Sequence, residues 1–173
     1  MTFAFGHLVG GWLIGKGEEW LRQVKIPRWG WFLLLLGTIL PDIDFLLDWT
    51  IGVESHRTLT HSVVFFIGVP LLLYLFLRWK KVQDAKRLTL LFALGIGMHL
   101  LLDMLTSPIG IPLFWPNLLH ISTSGVQYFD PSAPSFLQAS APGLQKSLRL
   151  ALLDMALGTI WIFYLWWRKR IEF

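Results

Sequence analysis

The chain contains no cysteine, and this absence narrows the chemistry open to it. Without thiols it can form no disulfide, no thiolate-bound zinc site, no iron–sulfur cluster and no cysteine nucleophile, so any metal must be held by His, Asp, Glu or backbone oxygen. Charge is also scarce, because charged residues make up 15% of the 173 residues while hydrophobic residues make up 54%. Soluble domains carry about 25% charged residues, so this composition is typical of a membrane protein.

Four apolar runs of bilayer length predict transmembrane helices. They cover residues 29–47, 62–79, 88–105 and 150–167. A shorter run, residues 3–15, predicts a short transmembrane or re-entrant helix, and it lacks the basic start of a signal peptide because the first positive side chain is Lys16. The expected fold is therefore an all-α integral membrane protein, with residues 1–173 forming a single membrane-embedded domain.

The basic residues fall into three groups that alternate along the chain with loops poor in basic residues. The groups lie within residues 16–28, 78–87 and 168–170. Because Lys and Arg concentrate in cytoplasmic loops, we assign all three groups to the cytoplasm and residues 48–61 and 106–149 to the extracytoplasmic side. The net charge of +4 is then explained by Lys and Arg residues that flank the membrane spans, so nucleic acid is not expected as a partner. Residues 18–28 predict either a short interfacial helix or a plain loop.

Histidines and aspartates stand at the ends of the apolar runs. An ionisable group within a membrane span costs roughly 2.5–3.5 kcal/mol, so its position is informative. The residues concerned are His7, Asp42, Asp44, His56, His61, His99 and Asp103. The topology was derived from Lys and Arg alone, yet it gathers these side chains in one extracytoplasmic layer.

The spacing within this layer predicts a metal site but leaves several assignments open. His99 and Asp103 are four residues apart, so on a helix they share a face and can bind one ion or two neighbouring ions. Imidazoles and carboxylates suit Zn²⁺, with Mn²⁺ or Fe²⁺ as alternatives, and there are enough for one or two ions. Asp42 could instead cap a helix end, and it can ligate together with Asp44 only if the backbone leaves the helix after Pro41.

Five motifs in this order resemble the YdjM-like family of inner-membrane metal-dependent hydrolases. They are Gly6-His7, Leu40-Pro41-Asp42-Ile43-Asp44, His56-Arg57-x-x-Thr60-His61-Ser62, His99-x-x-x-Asp103-Met104-Leu105-Thr106 and Gly110-Ile111-Pro112-Leu113-Phe114-Trp115-Pro116. The resemblance implies a multi-pass inner-membrane protein with a divalent-metal hydrolase centre.

A looser similarity to zinc-dependent phospholipases C and related single-strand nucleases implies a set of ligands. These are His7, Asp42, one of His56 or His61, His99 and Asp103, with Asp103 as a candidate bridge. Those enzymes carry a second His-x-x-x-acid pair near the C-terminus, where this chain has Asp154, which is either a hydrogen-bonded polar residue or an outer ligand. Two ions are therefore the expected maximum.

A hydrolase built on such a site uses metal-activated water and needs no serine nucleophile. At headgroup depth its expected partners are membrane lipids, and its expected substrate is a lipid or lipid-linked phosphoester. Asp44 and Arg57 are the candidate catalytic residues. Arg57 could bind a phosphate oxygen bidentately, or it could pair structurally with Asp48 or Glu54.

Two other functions stay open at this point. Intramembrane His and Asp residues also build ion or proton pathways, but a conduit needs polar residues through the whole membrane, and residues 33–36 and 71–77 are apolar. The chain could also be a non-catalytic metal-site protein that binds a partner through residues 106–149.

Overall fold

The computed structural model describes residues 4–44, 58–106, 110–117, 119–123 and 125–128, together with Ala156, Ile160 and Tyr164. The described part is mostly helical, as predicted. Its α-helices are α1 (Ala4–Arg22), α2 (Arg28–Ile39), α3 (Val63–Trp79) and α4 (Ala85–Thr106). Two 3₁₀ turns, Leu40–Ile43 and Leu59–His61, follow α2 and precede α3. The three isolated positions are helical and fall in the predicted span 150–167, the rest of which lies outside the described residues.

The helix bounds match the apolar runs in part. Helices α3 and α4 lie on predicted runs, and within the described residues α4 is the one helix both long and apolar enough to cross a membrane, while α3 is apolar but shorter. Helix α1 continues to Arg22, so residues 18–22 belong to it and not to a separate interfacial helix. Helix α2 ends at Ile39, ahead of Pro41, which cannot supply a helical N–H.

Helix α4 is the centre of the bundle and contacts α1, α2 and α3. Its closest approach is to α2, where Gly37 faces Gly95. A Cβ on Gly95 would collide with the backbone carbonyl of Leu34, and one on Gly37 with the carbonyl of Phe92. Small residues of this kind allow close backbone contact between membrane helices. The α2–α4 crossing therefore depends on both glycines.

A short β-hairpin lies within residues 106–149, which are predicted to be an extracytoplasmic loop, so this segment departs from the all-α prediction. Strands β1 (Leu119–Ser122) and β2 (Gly125–Tyr128) pair antiparallel. Ile111, which is 1% exposed, joins the hairpin through two backbone hydrogen bonds with Ile121, of 3.0 and 2.9 Å. Four-residue strands are too short to give a clear alternating pattern among the prolines and glycines of this segment.

The bundle has two chemically different ends. At the basic end, Arg87 donates to the carbonyl of Lys25 at 3.1 Å, which ties the start of α4 to the α1–α2 connection. The opposite end contains the start of α1, both 3₁₀ turns and the end of α4. Along α4, His99 lies twelve residues beyond Arg87, which is about 18 Å at 1.5 Å per residue. The basic groups and the predicted site are thus well separated.

Candidate metal centre

Four of the predicted side chains converge at the end opposite the basic groups. One ligand atom from each of them lies within 4.8 Å of all the others, and the four are Asp42, His61, His99 and Asp103. Asp42 comes from the first 3₁₀ turn and His61 from the second, while α4 supplies the other two from successive turns of one face. The i, i+4 prediction for His99 and Asp103 therefore describes their placement correctly.

Five of the six separations between the ligand atoms are close to the edge length of a metal coordination tetrahedron. Ligands about 2.1 Å from a tetrahedral zinc ion lie about 3.4 Å from one another. The distances are 3.2 Å from His61 Nε2 to His99 Nε2, 3.6 Å from each of these atoms to Asp42 Oδ1, and 3.5 and 3.9 Å from His61 and His99 respectively to Asp103 Oδ2. An ion fits among these atoms with only small side-chain movements.

The protonation of His99 is set by a backbone carbonyl. Its Nδ1 lies 2.8 Å from the carbonyl oxygen of Thr38. A carbonyl can only accept, so Nδ1 carries the proton, and the neutral ring presents its Nε2 lone pair to the cluster. A second-shell acceptor of this kind is usual for metal-binding histidines.

The protonation of His61 is set by two side chains. Thr60 donates its hydroxyl proton to Asp44 Oδ2 at 2.6 Å, and its oxygen lies 3.0 Å from His61 Nδ1. Asp44 Oδ2 is also 3.7 Å from Nδ1. Both neighbours offer lone pairs to Nδ1, so Nδ1 donates and Nε2 is the nitrogen turned to the cluster. The two Nε2 atoms therefore face each other at 3.2 Å beside both carboxylates, where they are placed to share one ion.

Burial gives the centre one open side. His61 and His99 are fully buried and Asp103 is 2% exposed. The side chain of Asp42 is 21% exposed and is the ligand that reaches the outside. His7, at the start of α1, is also fully buried, and its ring stacks on that of His99 with centroids 3.9 Å apart.

The remaining predicted residues have different outcomes. Asp44 contacts His61 at Nδ1, the ring nitrogen turned away from the cluster, and its catalytic role stays a prediction. His56, Arg57, Asp48, Glu54 and Asp154 lie outside the described residues. Of the two histidines between α2 and α3, the structure thus places His61 in the cluster.

Two contributors to the centre were missed by sequence reasoning. Thr60 stands in one of the motifs but receives no role in the sequence analysis. Its neighbour Ser62 caps α3 by accepting from Phe65 N at 3.2 Å. Thr38 acts through its backbone carbonyl, for which the sequence carries no signal. The position of Thr60 next to a candidate ligand was the one available clue.

The fold and the centre together define a helical protein with a buried His–Asp cluster near one end of its bundle. A family model described as YdjM inner membrane protein matches residues 1–171. The chain therefore belongs to the YdjM inner membrane protein family, in agreement with the resemblance of its motifs. Neither the curated proteins nor the solved structures contain a match to it.

Proposed function

We propose that this protein is a membrane-bound, metal-dependent hydrolase that acts on a lipid or lipid-linked phosphoester at the outer leaflet. The observation that carries the proposal is the pair of imidazole nitrogens, His61 Nε2 and His99 Nε2, which face each other at 3.2 Å beside two carboxylates. Two nitrogen and two oxygen ligands at tetrahedral spacing favour Zn²⁺, and Mn²⁺ or Fe²⁺ suit the same donors.

Some residues of the centre bind the ion, and one lies where the substrate enters. A divalent ion bound there would supply a coordinated water of lowered pKa and positive charge for a phosphoryl oxygen. His61, His99 and Asp103 would hold it from the buried side. Asp44 and Thr60 hold the proton of His61 on Nδ1. Asp42 is partly exposed, so substrate approaches on its side.

The surface around Asp42 favours a lipid substrate. Ile43, directly beside it, is 48% exposed, and Ile39, one turn earlier, is 36% exposed. Leu59, in the turn that carries His61, is 42% exposed. A polar opening bordered by exposed apolar side chains suits an amphiphile whose headgroup enters while its chains stay in the bilayer.

The charge distribution supports an extracytoplasmic orientation for the centre. The groups at the basic end, among them Lys25 and Arg87, belong in the cytoplasm by the positive-inside rule, so the cluster lies towards the other face. The proposal includes four full transmembrane helices, with residues 150–167 as the last. Arg57 is proposed to bind a phosphate oxygen of the substrate.

The test uses the detergent-purified protein, with bound metal quantified by elemental mass spectrometry. We then follow hydrolysis of phospholipids and lipid phosphates in mixed micelles by the release of headgroup or inorganic phosphate. The proteins compared are the parent, His99→Ala and the control His120→Ala, which changes a buried histidine of β1. We expect metal and hydrolysis in the parent and the control, and loss of both in His99→Ala. A metal-loaded parent no faster than His99→Ala on every substrate would refute the hydrolase.

A further inference from the structure

We infer that the groove between α1 and α2 is a binding site for an anionic phospholipid. The lipid belongs to the leaflet at the basic end of the bundle, which is the cytoplasmic leaflet in the orientation proposed above. Its phosphate contacts Arg28, and one acyl chain lies in the groove. The inference uses neither the metal centre nor its chemistry.

The groove is apolar and follows one face of α2. Its volume of about 380 Å³ is within the range of ligand pockets. Six of its lining residues lie on α2 between Arg28 and Ile39, at spacings that place them on one side of the helix, and α1 contributes Leu8. Arg28 is the one charged side chain among the described residues that line the groove, and the others are aliphatic or aromatic. The groove therefore suits a hydrocarbon chain with an anionic group at one end.

The length of the groove matches the depth of one lipid leaflet. Arg28 and Ile39 are eleven residues apart, which is about 16 Å along a helix that rises 1.5 Å per residue. Half of a hydrocarbon core about 30 Å thick is about 15 Å. Phe32, one turn after Arg28, is exposed, so a chain can enter the groove from the side. A lipid whose phosphate contacts Arg28 therefore places the end of its chain near Ile39 and Leu8.

The tryptophans at the basic end mark the level of the lipid headgroups. Trp20 lies near the end of α1, Trp29 at the start of α2 and Trp79 at the end of α3, and all three are exposed. Tryptophans of this kind concentrate at the interface between a membrane and water. Arg28 directly precedes Trp29 and is itself exposed, so it lies at the depth of the lipid phosphates.

The charge at this end favours an anionic lipid over a neutral one. Arg28 shares the basic end with Lys25 and Arg87. A guanidinium matches the geometry of a phosphate and can bind two of its oxygens. Basic residues beside a membrane span also attract the anionic lipids of the cytoplasmic leaflet. A phospholipid with a net negative charge is therefore the expected occupant.

The test reconstitutes the full chain in phosphatidylcholine bilayers that contain a small fraction of a phosphatidylglycerol probe. The probe carries a photoreactive diazirine at the end of one acyl chain, and mass spectrometry locates the labelled residues after illumination. We expect label on the segments around Leu8 and Ile39, at the end of the groove remote from Arg28. A phosphatidylcholine probe with the same diazirine is expected to label these segments more weakly.

Three substitutions separate the headgroup contact from general charge and from the groove itself. Arg28→Gln removes the cation that lines the groove, whereas the control Arg78→Gln removes a cation near the end of α3, outside it. One basic residue at a membrane surface gives about a fivefold preference for anionic lipid. Labelling by the phosphatidylglycerol probe is therefore expected to fall about fivefold in Arg28→Gln and to stay at the parent level in Arg78→Gln. Leu35→Trp, which fills the groove, is expected to lower labelling by both probes.

Three outcomes would overturn the inference. Equal labelling by the two probes, or no change in Arg28→Gln, would mean that the groove accepts any lipid. Label around Arg28 itself would mean that the lipid lies the other way up, with its headgroup at the cluster. Label on the exposed face of α3 but none in the groove would mean that another part of the chain, such as residues 150–167, covers it. None of these outcomes bears on metal binding, which is measured separately.

Discussion

Replacing Thr60 by Val tests whether second-shell contacts set the metal affinity. The hydroxyl of Thr60 is the short donor to buried Asp44, at 2.6 Å, and its oxygen is the nearest acceptor for His61 Nδ1, at 3.0 Å. Valine keeps the shape and removes both contacts. Asp44 Oδ2 lies 3.7 Å from His61 Nδ1, which is too far for it to replace the contact with Thr60.

The expected loss follows from these contacts. Second-shell substitutions typically weaken metal binding 10–100-fold, which corresponds to about 1.4–2.8 kcal/mol. A hydrogen bond to a charged group contributes about 1.5–3 kcal/mol, so the loss of the Thr60–Asp44 bond alone accounts for a change of this size. Stoichiometry is expected to stay as in the parent, because Thr60→Val removes no ligand.

Zinc affinity is measured by competition with a chelating indicator in detergent. The matched control is Thr106→Val, which also removes a threonine hydroxyl, one that donates to the carbonyl of Leu102 at 2.8 Å on an exposed part of α4. We expect Thr106→Val to bind zinc as the parent does. Equal affinity in Thr60→Val and the parent would refute the argument that Thr60 orients His61.

Three further predictions concern stability. Gly95→Ala places a methyl group against the Leu34 carbonyl and should lower the free energy of unfolding by about 1–3 kcal/mol. Gly68→Ala, with open space around it, should not destabilise the protein. Thermal unfolding in detergent compares the two variants, and equal melting temperatures would argue against the tight crossing. Ser62→Ala removes the cap that accepts from Phe65 N and should cost about 1 kcal/mol in the same assay, an unchanged melting temperature counting against the cap. Chelation of the metal should lower the melting temperature, and zinc at 100 times its Kd should restore about 2.7 kcal/mol; no response to either would contradict metal binding by the folded state.

How far the sequence predicts the centre depends on the local geometry of each ligand. His99 and Asp103 were predictable because the period of a helix places residues four apart on one face. Asp42 and Asp44 were not separable, because their directions depend on how the chain turns after α2. The 3₁₀ turn at Leu40–Ile43 aims Asp42 into the cluster and brings Asp44 behind His61.

The fold was also predictable only in part, because the sequence signals long helices more clearly than helix ends and short strands. Long apolar runs located α3 and α4 because hydrophobic length is a strong signal over 17 or more residues. The early end of α2 depends on one proline, and the hairpin consists of two four-residue strands that are too short to show a clear alternation. The bridge between Ile111 and Ile121 joins residues that share no sequence pattern.

The α2–α4 crossing has a consequence for how the metal site tolerates change. Gly37 adjoins Thr38, whose carbonyl orients His99, and Gly95 lies one turn before His99 itself. The distance between an imidazole and its second-shell acceptor is therefore fixed by direct backbone contact and not by side-chain packing. We expect lipid-facing side chains on both helices to be exchangeable for others that fit a different bilayer, without displacement of the ligands, as long as the two glycines remain.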